Sequence, residues 1–218
     1  MIIFKNISHN LLFDAADNMY PSRMDGVTSE QSFTEVSSSY YGFVYEGEFT
    51  LNRDKLPVCG LTNGMYFCVP GPFKLMGQGK LIVIERKGYR GLFSVGGPVE
   101  SRGRLTYIDQ CKASLLISPA RLGEPCLNLL TFQSHITQSE HIHPTFRMGL
   151  VYSGSGLCLS GSKQLAALKP GHVFYIEEGA SHYFQTQDEP MVVIAFHPDS
   201  DWGPQDEAHP MLNRTYLK

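Results

Sequence analysis

Short apolar runs, each bounded by turn-forming residues, set the pattern of this chain. YYGFVYEG (40–47), GMYFCV (64–69), KLIVIER (80–86), CLNLLTF (126–132), FRMGLVYSG (146–154), GHVFYI (171–176) and PMVVIAFH (190–197) are rich in Val, Ile, Leu, Tyr and Phe. Between them lie GLTNG, VPGP, SGSG, LKPG and EEGAS, whose Gly, Pro, Ser and Asn favour turns. An apolar repeat every 3.6 residues is almost missing, and only AADNMYPSR and SPARLG read as irregular or briefly helical. The pattern predicts an all-β chain of short antiparallel strands.

The runs also repeat. Gly42-Phe-Val-Tyr-Glu-Gly47 returns as Gly149-Leu-Val-Tyr-Ser-Gly154, four identities in six at an offset of 107 residues. The same offset carries Gly64-Met-Tyr-Phe-Cys-Val69 onto Gly171-His-Val-Phe-Tyr-Ile176, and in both halves 16 residues separate the first block from the Gly of the second. A length of 218 residues allows one or two domains. The repeat selects two, residues 1–95 and 105–218, divided in the polar, Gly-rich stretch 87–104.

Composition narrows the setting. With 42% hydrophobic, 11% aromatic and 18% charged residues the chain can bury a core. A net charge of -3 without a basic cluster gives no reason to expect a nucleic-acid partner. No apolar run approaches the roughly 18 residues a membrane span needs, and the acidic residues of MIIFKNISHNLLFDAADN interrupt any signal-peptide core. Five cysteines without a CxxC pair read as reduced, mostly buried thiols. The expectation is a soluble cytoplasmic protein with no membrane partner. The last stretch, HPDSDWGPQDEAHPMLNRTYLK, is expected to pack across a barrel with Trp202 as its anchor.

Candidate chemistry gathers in the second half, where seven of the eight histidines lie between residues 135 and 209. His141 and His143 are two apart, so in extended chain both imidazoles face one side. His182 follows the Gly-rich turn after HVFYI and completes a three-nitrogen set if the two strands are neighbours, enough to hold a divalent metal with open positions. Surface or core histidines with ordinary hydrogen bonds are the alternative.

The spacing resembles the two motifs of the cupin superfamily, and the duplication resembles a bicupin. In the first motif, Gly, His-x-His, Glu and Gly fall on His135, His141 with His143, Arg147 and Gly154. In the second, Gly, Pro-x-Gly, His and Asn fall on Gly171, Glu177 with Gly179, His182 and Thr186. The resemblance implies two double-stranded β-helix (jelly-roll) antiparallel barrels, with metal at His141, His143 and His182. Arg147 occupies the slot of the usual fourth ligand, and a guanidinium cannot coordinate a metal. In the family, three-His centres imply a non-haem iron dioxygenase acting on a small anionic organic molecule. Nickel, manganese, zinc and copper are further occupants of cupins. A cupin isomerase, lyase or hydrolase is a second reading, and a non-catalytic small-ligand or metal-binding sensor a third. A homodimer is implied by the family alone.

Arg147 shares the parity of the His pair and is expected either to hold a substrate carboxylate or to pair with Glu140, Glu177 or Glu178. Tyr152, Tyr175 and Phe184 read first as packing, although a hydroxyl beside the metal, that of Tyr152 in particular, would serve as an acid or donor. His197 ends its strand as a cap or a proton-transfer group. Subtracting 107 puts Thr34, Val36, Tyr40 and Leu75 at the places of His141, His143, Arg147 and His182. The first half is therefore expected to be a degenerate barrel with a filled core.

Overall fold

The computed structural model describes residues 1–200, so the expected Trp202 anchor lies outside the described residues. The first half carries β1 (Ile2–Asn6), β2 (Asn10–Ala15), β3 (Ser22–Val27), β4 (Gln31–Phe33), β5 (Ser39–Asn52), β6 (Cys59–Leu61), β7 (Tyr66–Pro70), β8 (Phe73–Arg86) and β9 (Ser94–Gly96). The second carries β10 (Leu105–Thr106), β11 (Lys112–Ile117), β12 (Cys126–Phe132), β13 (Arg147–Gly154), β14 (Gly156–Ser160), β15 (Lys163–Leu168), β16 (His172–Ile176), β17 (Tyr183–Gln185) and β18 (Met191–His197). Among the described residues the only helical piece is a single 3₁₀ turn at Ile108–Gln110, so AADNMYPSR and SPARLG are turns and strand rather than helix. No helix of the described residues is long and apolar enough to cross a membrane. All five cysteines are free, and all but Cys59 are buried.

The strands form three antiparallel sheets. One runs β2-β3-β8-β5-β7-β9, with β4 on β8 and β6 on β5; a second runs β1-β16-β13-β18-β12-β11-β10; the third is β15-β14-β17. The first strand crosses over: Ile2–Asn6 pairs with His172–Ile176 of the second half. A cut at residues 87–104 therefore does not separate every strand, because β1 belongs to the sheet of the later residues.

The 107-residue offset is written into contacts as well as letters. Gly42 pairs with Phe67 on β5 and β7, and Gly149 pairs with Phe174 on β13 and β16. A Cβ at either glycine would stand 2.0 or 2.3 Å from the ring of that phenylalanine. β5 shifts register between Val44 and Glu46, and β13 shifts between Val151 and Ser153. The Gly64 N–H donates to Val44 O at 2.9 Å, as the Gly171 N–H does to Val151 O. Tyr45 and Tyr152 are 107 apart and meet edge to face, ring centroids 6.4 Å apart. Each hydroxyl also lies against the other half's glycine, Tyr152 over Gly64 and Tyr45 over Gly171. Contacts that exchange partners in this way are the mark of an approximate two-fold relation.

Three apolar clusters follow from this arrangement. Phe33, Tyr40, Phe67, Phe73 and Leu75 are part of one inside the first half, and Phe132, Val151, Phe174, Phe184 and Val193 of one inside the second. The third joins the halves, placing Met24, Tyr41, Phe43 and Ile84 against Met148, Leu150, Ile194 and Phe196. Strands such as β13 and β18 are thus covered on both faces, which is why they read as unbroken apolar runs. Gly149 sits at a tight point of this packing, where an added methyl would also meet Ile194 O at 2.3 Å. We expect Gly149→Ala to destabilise the chain by about 1–3 kcal/mol through overpacking. Gly60→Ala, with nothing within 4 Å of the new carbon, should stay within about 0.5 kcal/mol; urea unfolding of the two variants checks the contrast.

Candidate metal centre

His141 and His182 reach each other through the backbone. They form an isolated antiparallel bridge in which each N–H donates to the other's carbonyl at 3.0 Å. Both rings are then held by the same local device. His141 Nδ1 lies 2.8 Å from Ser139 O and His182 Nδ1 2.9 Å from Ala180 O. A carbonyl can only accept, so Nδ1 carries the proton and Nε2 keeps its lone pair for a metal. His143 completes the group. The three rings have centroids 4.7 to 5.2 Å apart, and their candidate ligand atoms lie within 4.8 Å of one another. A tetrahedral ion with bonds of roughly 2.1 Å holds its ligands about 3.4 Å apart, so the rings would close by about an ångström or somewhat more to share one.

The loops carrying these rings are anchored by two carboxylates. Asp109 accepts from the Ser139 backbone N–H at 2.5 Å and from its hydroxyl at 3.1 Å, and Ser139 O in turn receives His141 Nδ1. Asp109 and Gln110 both adopt left-handed backbone, with φ of 50° and 67°, a conformation that costs free energy for non-Gly residues. Glu140 accepts from the Ser181 hydroxyl at 2.7 Å and from the Gly161 N–H at 2.9 Å, tying the His141 segment to the residue before His182. Residue 135, in the first Gly slot of the motif, is a histidine that takes the left-handed backbone at φ 59° and is exposed. It is not part of the cluster.

The chamber around the rings is small, about 30 Å³, and is walled by Tyr107, Leu130, Phe132, Gln138, Arg147, Phe174, Ile176, Phe184, Ala195 and His197 as well as the three histidines. Burial, then the nearby Arg147 cation and the other rings, pushes His143 down to about 3. Burial above all brings His182 down to about 4, only partly offset by its bond to Ala180 O. Both rings are neutral at pH 7, the form a metal needs. In the metal-free protein the unfolded chain takes up protons at these two positions below about pH 6.5 while the folded chain does not, so they lower stability as pH falls toward 4.

Arg147 points into this chamber, as its parity with the histidines suggests. Its Nη1 donates to Thr145 Oγ1, Thr145 O and Phe146 O, and lies 3.8 Å from Asp199 Oδ1. Of the glutamates named as alternative partners, Glu140 holds Ser181, Glu177 receives the N-terminal amine at 2.6 Å and Glu178 is exposed. Tyr152 is on the other face of β13. It stands five positions from Arg147, an odd number, so the strand turns it away from the histidines and against Phe43 at 5.0 Å and Tyr45. Its hydroxyl does not face the candidate metal, which corrects its assignment as an acid or donor there. Tyr175 packs against Phe13 and Phe146, and Phe184 against Phe132 and Phe174.

Sequence reasoning left His197 open and passed over Tyr107, Gln138, Asp109 and Asp199. His197 is a chamber wall 6.4 Å from His143, held well below its ordinary value by burial, then Arg147. The signal was present in the strand: Met191, Val193 and Ala195 face the inner cluster, and His197 continues that parity. Asp109 and Asp199 meet the site from loops distant in sequence, which no local pattern reveals.

With this geometry in place the chain can be set beside known proteins. The fold is that of the cupin barrel proteins. No protein-family model matches the chain. A cupin 2 conserved barrel domain protein from Leptotrichia buccalis shares 14% identity with a TM-score of 0.58, covering 90% of this chain and 88% of its own. A salicylate 1,2-dioxygenase mutant from Pseudoaminobacter salicylatoxidans, solved with gentisate, shares 11% identity with a TM-score of 0.60, covering 80% of this chain and 67% of its own. In sequence, an oxalate decarboxylase from Arthroderma benhamiae is 37% identical over 73 residues, 29% of this chain and 17% of that protein.

Mn(II) or Fe(II) is expected to raise the melting temperature of the parent, and single replacement of His141, His143 or His182 by Ala should abolish that rise. Asp109→Ala, which leaves the ligands in place, should weaken metal binding about tenfold, as loss of a ligand's supporting bond does. Metal titration followed by calorimetry checks both.

Proposed function

We propose that the chain is a metal-dependent bicupin enzyme acting on a small anionic organic molecule, in the first instance a non-haem iron dioxygenase. The observation that carries this reading is the three-His cluster with Arg147 and, among the described residues, no carboxylate in its chamber. Three imidazole ligands would leave the charge of a divalent ion uncompensated, and Arg147, although Asp199 stands 3.8 Å from it, lines the same chamber, which supports an anionic ligand. An iron(II) ion there would supply redox chemistry toward dioxygen. His141, His143 and His182 would hold it, and Arg147 would orient the ligand's carboxylate. The first half supports the second without ligands of its own: Tyr40, at the Arg147 position, packs with Phe33 and Phe73 at 5.2 Å from each, and Leu75, at the His182 position, is fully buried.

Two observations favour rivals. The sequence match to an oxalate decarboxylase fits a lyase, and a chamber whose described lining offers no acidic side chain as general base fits a ligand-binding sensor. Oxygen consumption by the Fe(II)-loaded chain, with a panel of aromatic and keto acids, separates them. Uptake of oxygen with loss of the acid is the expected result; turnover without oxygen uptake indicates the isomerase or lyase, and binding without turnover the sensor. Arg147→Gln should raise the dissociation constant of the bound acid about tenfold at unchanged metal content, the size of one charge-assisted contact.

A further inference from the structure

A guanidinium lining the space where three histidines would hold a divalent cation is an electrostatic obstacle to that cation. Arg147 is offset through its neighbours. Its Nη1 donates to Thr145 Oγ1 at 2.5 Å, and the Thr145 hydroxyl donates in turn to Asp199 Oδ1 at 2.5 Å. Asp199 Oδ1 stands 3.8 Å from Nη1 itself, with its side chain 22% exposed and that of Arg147 10%. At such exposure solvent and salt screen the pair only in part. Thr145 follows His143 by two residues, so this relay begins in the segment that carries a candidate ligand.

Asp199 is held in place from both halves. The Gly123 N–H donates to Ser200 O at 2.6 Å and the Ser200 hydroxyl to Glu124 O at 2.7 Å, which fixes the residue next to Asp199 against the loop 120–124. The Glu124 carboxylate accepts from the Ala120 and Arg121 N–H groups at 3.1 and 3.0 Å. It also accepts from the hydroxyl of Tyr89, in the stretch that joins the halves. Arg86, on β8 of the first half, is attracted to the Asp199 carboxylate as well. A negative charge is thus fixed behind Arg147, outside the lining of the chamber.

Resting on the reading of the three histidines as a metal site, we propose that Asp199 is a charge-balancing residue: it offsets Arg147 through Thr145, which lets the imidazoles hold a divalent cation beside a guanidinium, and it limits how tightly an anion then binds. Removing its charge has effects of opposite sign on cation and anion. Asp199→Asn keeps an acceptor for the Thr145 hydroxyl, and Asp199→Ser serves if that variant does not fold. Calorimetry is expected to show Mn(II) binding weakened about tenfold, while acetate binding to the Mn(II)-saturated chain, read from water-proton relaxation, tightens by about the same factor. Asp199→Glu, which keeps the charge, is expected to stay within about threefold of the parent in both. The double variant Asp199→Asn/Arg147→Gln, with neither charge, is expected to recover Mn(II) binding to within about threefold; a loop merely loosened by the first substitution would not be repaired by the second. Unchanged Mn(II) affinity in Asp199→Asn, a fall in both affinities, or a double variant no better than the single one overturns the role of Asp199 and leaves the metal site in place. A parent that binds no Mn(II) removes the metal reading and this role with it. The expected pattern in a chain that turns over no acid supports the role of Asp199 and removes only the enzyme reading.

Discussion

The reciprocal backbone bonds between His141 and His182 are the constraint on which the site depends. Two segments 41 residues apart are fixed against each other by groups that every residue carries, so the side chains are left for chemistry. Each ring is then oriented by the carbonyl two residues before it, Ser139 for His141 and Ala180 for His182. Asp109 and Glu140 hold those segments from outside. Ring orientation is thus settled during folding, and little conformational freedom remains to be lost when a ligand binds.

The electrostatics of the chamber follow from what surrounds these rings. Burial keeps His143 and His182 neutral, and the Arg147 cation acts in the same direction. The cation is not left bare, since Thr145 connects it to Asp199, whose Oδ1 accepts the Thr145 hydroxyl. An arginine in a small space beside three imidazoles is the feature on which the proposal of an anionic ligand rests. The charge balance distinguishes this site from one in which a glutamate joins the ligands.

The two halves show how far one backbone can serve different interiors. The bulge after Val44 and Val151, the Gly–Phe cross-strand pair and the glycine that follows are the same in both. Inside, one half closes over Phe33, Tyr40 and Phe73, whose rings pack at 4.8 to 5.2 Å, while the other opens onto histidines. The apolar layer of Tyr41, Phe43, Met148 and Phe196 between them makes the filled half a wall for the open one.

Much of this was legible along the chain because strand formation and motif spacing are local. The run 126–132 is a strand over those same residues, and His141, His143 and His182 converge as their spacing and the family resemblance imply. Parity alone, applied more strictly, places Tyr152 opposite Arg147 and puts His197 inside. Other features arose only from tertiary structure: the crossing of Ile2–Asn6 to pair with β16, the support of Ser139 by Asp109, and the Asp199 beside Arg147. Periodicity assigns a side chain to one face of its own strand. Which distant strand, carboxylate or empty space that face meets is decided by how the sheets close, and no local pattern of residues contains that information.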